Sequence, residues 1–109
     1  MPRLSEPSTV FGKRLRAARS RAGLPQDKLG VSIGLDESSS SARISRYEAG
    51  VHEPPFSIAQ SLAEVLKVPV AYFYCDDDRL ADLLVAYQAL DSGQRRKVRA
   101  FVTELRSDS

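Results

Sequence analysis

The stretch Ala42-Arg43-Ile44-Ser45-Arg46-Tyr47-Glu48-Ala49-Gly50 constrains the fold of this chain more than any other. Ile44 and Tyr47 stand three apart, so a helix places both on one face. Ser41, Ala42, Ser45 and Arg46 then fall on the other faces. Few of these outward side chains are bulky, so the backbone of such a helix can come close to a partner. Gly50 is a natural helix stop. Upstream, Leu29 and Ile33 sit four apart on a second short helix that opens at Pro25-Gln26-Asp27. Pro25 suits a first helical turn, and Asp27 suits the positive end of a helix. Two short helices joined by a polar turn, the second with one apolar face and one small polar face, form a helix-turn-helix candidate.

Leu24-Pro25-Gln26, Leu29, Ile33-Gly34-Leu35 and Ile44-Ser45-Arg46-Tyr47-Glu48-Ala49-Gly50 resemble the helix-turn-helix of the Cro/phage-repressor (XRE) family, over a span from about Phe11 to Tyr74. The most specific piece is Ile-Ser-Arg-Tyr-Glu-x-Gly, set after a helix opened by Gln. The chain departs from the family pattern in one place. Leu35–Arg43 is longer than the family's compact turn, and we read Asp36–Ser41 as an extended turn, with the recognition helix around residues 40–48. The resemblance implies a five-helix lambda-repressor-like DNA-binding domain; with the pair of C-terminal helices read from the apolar stripes beyond it, the expected fold class is all-α. The resemblance also implies that Arg19 on the first helix pairs with Glu48, tying the first helix to the third.

Bulk properties agree with a small domain. A chain of 109 residues with 42% hydrophobic content supports one core plus a small helical appendage. No stretch approaches the roughly 20 apolar residues of a membrane helix. Charges interrupt every apolar run in Met1–Arg21, so no signal peptide is read there and the default expectation is cytoplasmic, with no membrane partner. The single cysteine, Cys75, excludes an intrachain disulfide and a cysteine-cluster zinc site. The net charge of +2 says little, but its distribution says more. Residues 1–50 hold nine Lys/Arg against five Asp/Glu, and residues 51–109 hold seven against nine. A basic first half suits a polyanionic partner.

Residues 1–9 read as a flexible N-terminal arm, with Arg3 a candidate phosphate contact and Ser8 or Thr9 available as a helix cap. Residues 10–75 read as the helix-turn-helix domain. Its first helix runs to about Ala22 before Gly23, with Val10, Phe11, Leu15 and Ala18 as the buried face. Lys13, Arg14, Arg16, Arg19 and Arg21 make that helix strongly basic. The second helix covers about Gln26–Ile33, and the Gln26 amide is placed to meet a phosphate. Asp36, or one of the serines Ser38–Ser41, can cap the third helix. After Gly50, the loop Val51-His52-Glu53-Pro54-Pro55 precedes a fourth helix with Ile58, Leu62, Val65 and Leu66 as its core stripe. Val70–Tyr74 reads as a short fifth helix whose Phe73 closes the core.

Residues 76–109 read as a C-terminal helical hairpin and dimerisation element. Asp76-Asp77-Asp78 are caps for the next helix rather than a calcium loop, whose ligand spacing is absent. Two narrow apolar stripes follow: Leu80, Leu83, Leu84, Tyr87 and Leu90, then Val98, Phe101, Val102 and Leu105. They can pack on each other as a hairpin, and the apolar surface left over is suited to a homodimer; the alternative is packing back on the helix-turn-helix domain.

The residues contain no Ser/His/Asp set, no glycine-rich phosphate loop and no metal cluster, so we expect no enzyme activity, no cofactor and no metal. The functional reading is a sequence-specific, double-stranded DNA-binding transcriptional regulator, a repressor acting on a near-palindromic operator. Arg16 and Gln26 position the duplex through phosphates. Ser39, Ser40, Ser41 and Ser45 are hydroxyl contacts, Ala42 meets a thymine methyl, Arg43 a phosphate, Arg46 a guanine edge or a phosphate, and His52 a phosphate. The alternative is an antitoxin whose C-terminal helices clasp a toxin and which regulates its own operon through DNA binding.

Overall fold

The computed structural model describes residues 7–107, and Arg3 of the expected arm lies outside the described residues. The part of that arm that is described is fixed. Ser8 Oγ donates to the carbonyl of Ala49 at 2.7 Å, and Thr9 Oγ1 accepts from Gly12 N at 3.0 Å, capping helix α1 (Val10–Ala22). Gly23 ends α1 in the left-handed region, at φ 69°, and its N–H returns to the last carbonyls. Four more elements complete the body: α2 (Gln26–Ser32), α3 (Glu37–Ala49), α4 (Phe56–Leu66) and a 3-10 helix, Val70–Tyr74. Helices α5 (Asp78–Gln88) and α6 (Ser92–Ser107) follow, and no strand occurs among the described residues.

One core joins the first five elements. Phe11, Leu15 and Ala18 from α1 meet Leu29, Ile44, Tyr47, Leu62, Leu66, Tyr72 and Phe73, all buried. The Phe11 and Phe73 ring centroids lie 5.0 Å apart in a tilted pair. Burial of each large side chain contributes about 1.5–3 kcal/mol. Val10, expected on the buried face of α1, lies at its edge and is 37% exposed.

The expected extended turn is not formed, and this is the main correction to the sequence reading. Asp36–Ser41 is not a loop, because α3 begins at Glu37 and takes in all four serines. The connection is only Ile33–Asp36, closed by Gly34 at φ 93° and by Leu35 N donating to the Gly30 carbonyl at 3.0 Å. Asp36 occupies the N-cap position, but its side chain caps no backbone N–H; it accepts from Ser38 Oγ at 3.0 Å instead. Serine is a mediocre helix former, so packing decides the conformation here. Ser40 is wholly buried where α3 crosses α2, with its Oγ donating to the carbonyl of Asp27. A Cβ on Gly30 would fall 1.9 Å from that oxygen. A second close crossing joins α1 to α3, where a Cβ on Gly12 would lie 2.1 Å from the Glu48 carbonyl oxygen.

The C-terminal helices leave this body. Asp77 caps α5 by accepting from Arg79 N and Leu80 N, and Ala81 inserts fully into the core. Arg14, 6% exposed, donates to the Cys75 carbonyl at 2.8 Å and to Asp78 Oδ1 at 2.9 Å, where Lys13 also pairs. Those hydrogen bonds, from Arg14 first and then Lys13, hold the Asp78 carboxyl below the usual carboxylate range. Asp91 and Gln94 exchange hydrogen bonds at the start of α6, a reciprocal capping pair. The corner between α5 and α6 is held by arginines: Arg95 donates to the carbonyls of Tyr87 and Gln88, and Arg99 to the Tyr87 hydroxyl. Helix α6 buries no residue, and the molecule extends over 53 × 31 × 23 Å with a radius of gyration of 16.0 Å. A compact chain of about this size measures about 13 Å.

Candidate nucleic-acid interface

Helix α3 divides cleanly along its length. Ser40, Ile44, Tyr47 and Glu48 recur at the i, i+4, i+7, i+8 spacing and are buried, which fixes the rotation of the helix on the body. The opposite side leaves Ser39, Ser41, Ala42, Arg43 and Arg46 exposed and Ser45 half-buried. Ala42, Ser45, Arg46 and Ala49 line a continuous strip with Val51, the first residue past Gly50, and Ser41 lies exposed one helical turn before Ser45. His52 is exposed on the loop that follows. The strip is built of small side chains around Arg46, so a backbone or a base edge can approach it closely.

Two of the expected contact residues are placed otherwise. Ser40 is inaccessible, since its hydroxyl is spent inside the α2–α3 crossing. Arg16 turns toward Glu48, its Nε donating to Glu48 Oε1 at 3.2 Å, with its side chain 31% exposed. The basic face of α1 is largely consumed in the same way. Arg14 serves Asp78, and Arg21 donates to the Tyr72 hydroxyl and lies over the ring.

Glu48 is the centre of this arrangement and is completely buried. Its Oε2 accepts from Arg19 Nε at 2.5 Å, and its Oε1 accepts from Arg19 Nη2 at 3.2 Å, Arg16 Nε at 3.2 Å and Gln26 Nε2 at 3.1 Å. Arg19 also donates to the carbonyl of Leu24 at 3.0 Å, just before α2. One carboxylate therefore ties α1, α2 and α3 together directly behind the exposed strip. Sequence reasoning paired Glu48 with Arg19 and missed both Arg16 and Gln26. The signal available was that Glu48 follows Ile44 at i+4 and so shares the inward face.

Among the described residues, no group of three or more His, Cys, Asp or Glu is placed to hold a metal, and no helix is long and apolar enough to cross a membrane.

Comparison with known proteins agrees with the geometry. The family model for a helix-turn-helix domain matches residues 10–72. The chain belongs to the helix-turn-helix domain family. The crystal structure of the transcriptional regulator BswR superposes with a TM-score of 0.81 at 42% identity, covering 85% of this chain and 92% of that one. Uncharacterised HTH-type transcriptional regulators of Sinorhizobium medicae (strain WSM419) and Rhizobium meliloti (strain 1021) are each 35% identical over 65 residues. That match takes in 60% of this chain and spans 44% of the length of those relatives. The helix pair α2–α3 is the motif that gives the family its name, and α1, α4 and the 3-10 helix are its packing frame.

The residues assigned to a dimer contact are divided. Leu80, Leu83, Phe101, Val102 and Leu105 are about half exposed. Leu84, Tyr87 and Val98 are half-buried, and the Tyr87 hydroxyl already serves Arg99 at the helix corner. Within one chain the two stripes do not cover each other.

Proposed function

We propose that this chain is a sequence-specific, double-stranded DNA-binding transcriptional regulator, a repressor, that reads the major groove with α3. The observation that carries this reading is the strip Ser41, Ala42, Ser45 and Arg46, small and polar, backed by a helix face locked through Ser40, Ile44, Tyr47 and Glu48. A major groove about 12 Å wide admits an α-helix whose near side chains are short. Arg46 reaches a guanine edge, Ala42 a thymine methyl, and Ser39, Ser41 and Ser45 supply hydroxyls to bases and phosphates. Arg43 and His52 flank the strip and suit phosphates.

One recognition helix reads only a few base pairs, too few to single out a site among many competitors. A two-fold axis doubles the reading. The exposed Leu80, Leu83, Phe101, Val102 and Leu105 supply apolar surface for it. Charge supports a second copy as the occupant: Asp76, Asp77, Asp78 and Asp82 crowd the start of α5, while Arg95, Arg96, Lys97 and Arg99 crowd the start of α6. The reading is thus a homodimer on a near-palindrome, with half-site centres about one helical turn, roughly 34 Å, apart. The antitoxin reading uses the same stripe to clasp a toxin, and a small protein that co-purifies with the chain in fixed proportion would favour it.

The test is selection of bound duplexes from a random DNA pool. Enrichment of a near-palindromic sequence is the expected result. A pool that stays unenriched over successive rounds overturns the reading.

A further inference from the structure

We propose that the cleft between the DNA-binding body and α5 is a binding site for a small amphipathic carboxylate, an apolar tail with one acidic head. The proposal goes beyond the reading of α3 and does not depend on it. The cleft measures about 470 Å³, inside the range of about 300–1,000 Å³ of small-molecule sites. The ends of α1 and α4 form two of its sides, and α5 closes a third through Val85. Ala18, Leu66 and Val68 are its buried floor, while Leu24, Val65 and Val85 are half-buried around it. A ligand seated there touches both the body that carries α3 and the helix that leads to the C-terminal arm.

The charges at the cleft are of one sign. Arg21 and Lys67 line it and are exposed, and no carboxylate lines it among the described residues. Arg21 is held by the buried Tyr72: it donates to the hydroxyl at 3.1 Å, and its guanidinium lies 5.7 Å from the ring centroid. A guanidinium carries five N–H donors, so this anchor leaves others for a ligand. The Lys67 ammonium makes no hydrogen bond or ion pair among the described residues. Lys67 is also the one residue besides glycine with a positive φ, 59°, among the described residues. Glycine suits that conformation better, so the backbone does not account for a lysine at this place. Cations near helix C-termini can offset the exposed carbonyl ends. Here those carbonyls are already taken: the N–H groups of Gly23 and Leu24 serve Arg19 and Ser20, and those of Lys67 and Val68 serve Ala63 and Glu64. Two cations beside an apolar cleft match an anion with an apolar body. They also repel α6 of a second copy as an occupant, because its apolar stripe is flanked by Arg95, Lys97 and Arg99.

The probe is octanoate, titrated into the full chain and followed by backbone amide NMR. Saturable shifts are expected at Leu24, Val65 and Val85. Octylamine, the same tail under a cation, is expected to bind at least about tenfold more weakly, since two attractions become two repulsions. Acetate, the head alone, is expected to give no saturable shift there. Lys67→Gly removes one cation and sets the favoured residue at the positive φ, so the variant keeps its fold. Its octanoate affinity is expected to fall about fivefold, the scale of one exposed ion pair, while octanol, the neutral analogue, binds as it does to the parent. Ala22→Phe, at the exposed end of α1, fills the cleft and is expected to weaken octanoate and octanol alike. Octylamine binding as tightly as octanoate, or an unchanged octanoate affinity in Lys67→Gly, overturns the charge match and with it the proposal. Shifts confined to Leu80, Phe101 and Val102 make octanoate a surfactant on the exposed stripe and overturn the site, as does the absence of any saturable shift. Duplex selection bears on none of these outcomes, so this proposal and the DNA-reading function fail separately.

Discussion

Replacing Glu48 by alanine tests the interior of the reading head. The carboxylate accepts four hydrogen bonds, from Arg16, Arg19 twice and Gln26, with no exposure to water. Removing one partner of a buried ion pair costs about 3–5 kcal/mol, because the stranded charge keeps its desolvation penalty. The two arginines are not equally stranded. The Arg16 side chain is 31% exposed and re-enters water readily, whereas Arg19 is 18% exposed and is held at the Leu24 carbonyl. The penalty therefore comes mainly from Arg19, and we place the loss near the low end, about 3 kcal/mol. For a domain of this size 1 kcal/mol moves the melting temperature by about 4–8 °C, so the variant is expected to melt about 12–24 °C lower. Glu53→Ala, at an exposed loop position, is the control and is expected to shift little. Thermal melts by circular dichroism measure both. In a cycle with Arg19→Met, the double variant is expected to lose clearly less than the sum of the single losses. Equal melting temperatures for Glu48→Ala and Glu53→Ala, or an additive cycle, would show that Glu48 does not hold the three helices together.

Arg46→Ala is expected to remove specific binding, a loss of about 1–3 kcal/mol per contact, while helix content by circular dichroism stays unchanged because the side chain is outward; undiminished affinity for the selected duplex excludes it as a recognition residue. Asp78→Asn removes a carboxylate whose folded-state pKa is depressed by Arg14 and then Lys13, so the stability it adds is complete at neutral pH and lost as the pH falls below about 4. The parent should out-melt the variant at pH 7 and converge with it in acid, and a gap that persists unchanged into acid counts against the strut. Ending the chain after Leu90 deletes α6, which buries nothing, so the shortened chain should fold, sediment as a monomer and bind DNA weakly, while the full chain sediments as a dimer. A monomeric full chain, or a dimeric shortened one, places the interface elsewhere.

The sequence by itself determined the order and nature of the elements, because their causes are local. Ile44 and Tyr47 mark one face of α3 by spacing alone, Gly23 and Gly50 stop helices in the left-handed region, and the paired prolines before Phe56 delay α4. The inward course of Glu48 follows from the same periodicity. Tertiary structure decided what local rules left balanced. Four serines between Glu37 and Ala42 read as a turn by propensity, yet they are helical, because Ser40 fits against Gly30 and hydrogen-bonds across to α2. Arg16 reads as a phosphate contact, yet it is drawn onto Glu48, a partner 32 residues away. The two C-terminal stripes read as a hairpin, but arginine contacts at the Tyr87–Arg95 corner turn α6 outward, and its apolar face stays open. In each case a pattern along the chain states which side chains are available. Only the packed structure states which of them meet, since a charge or hydroxyl goes to whichever partner the fold brings within reach.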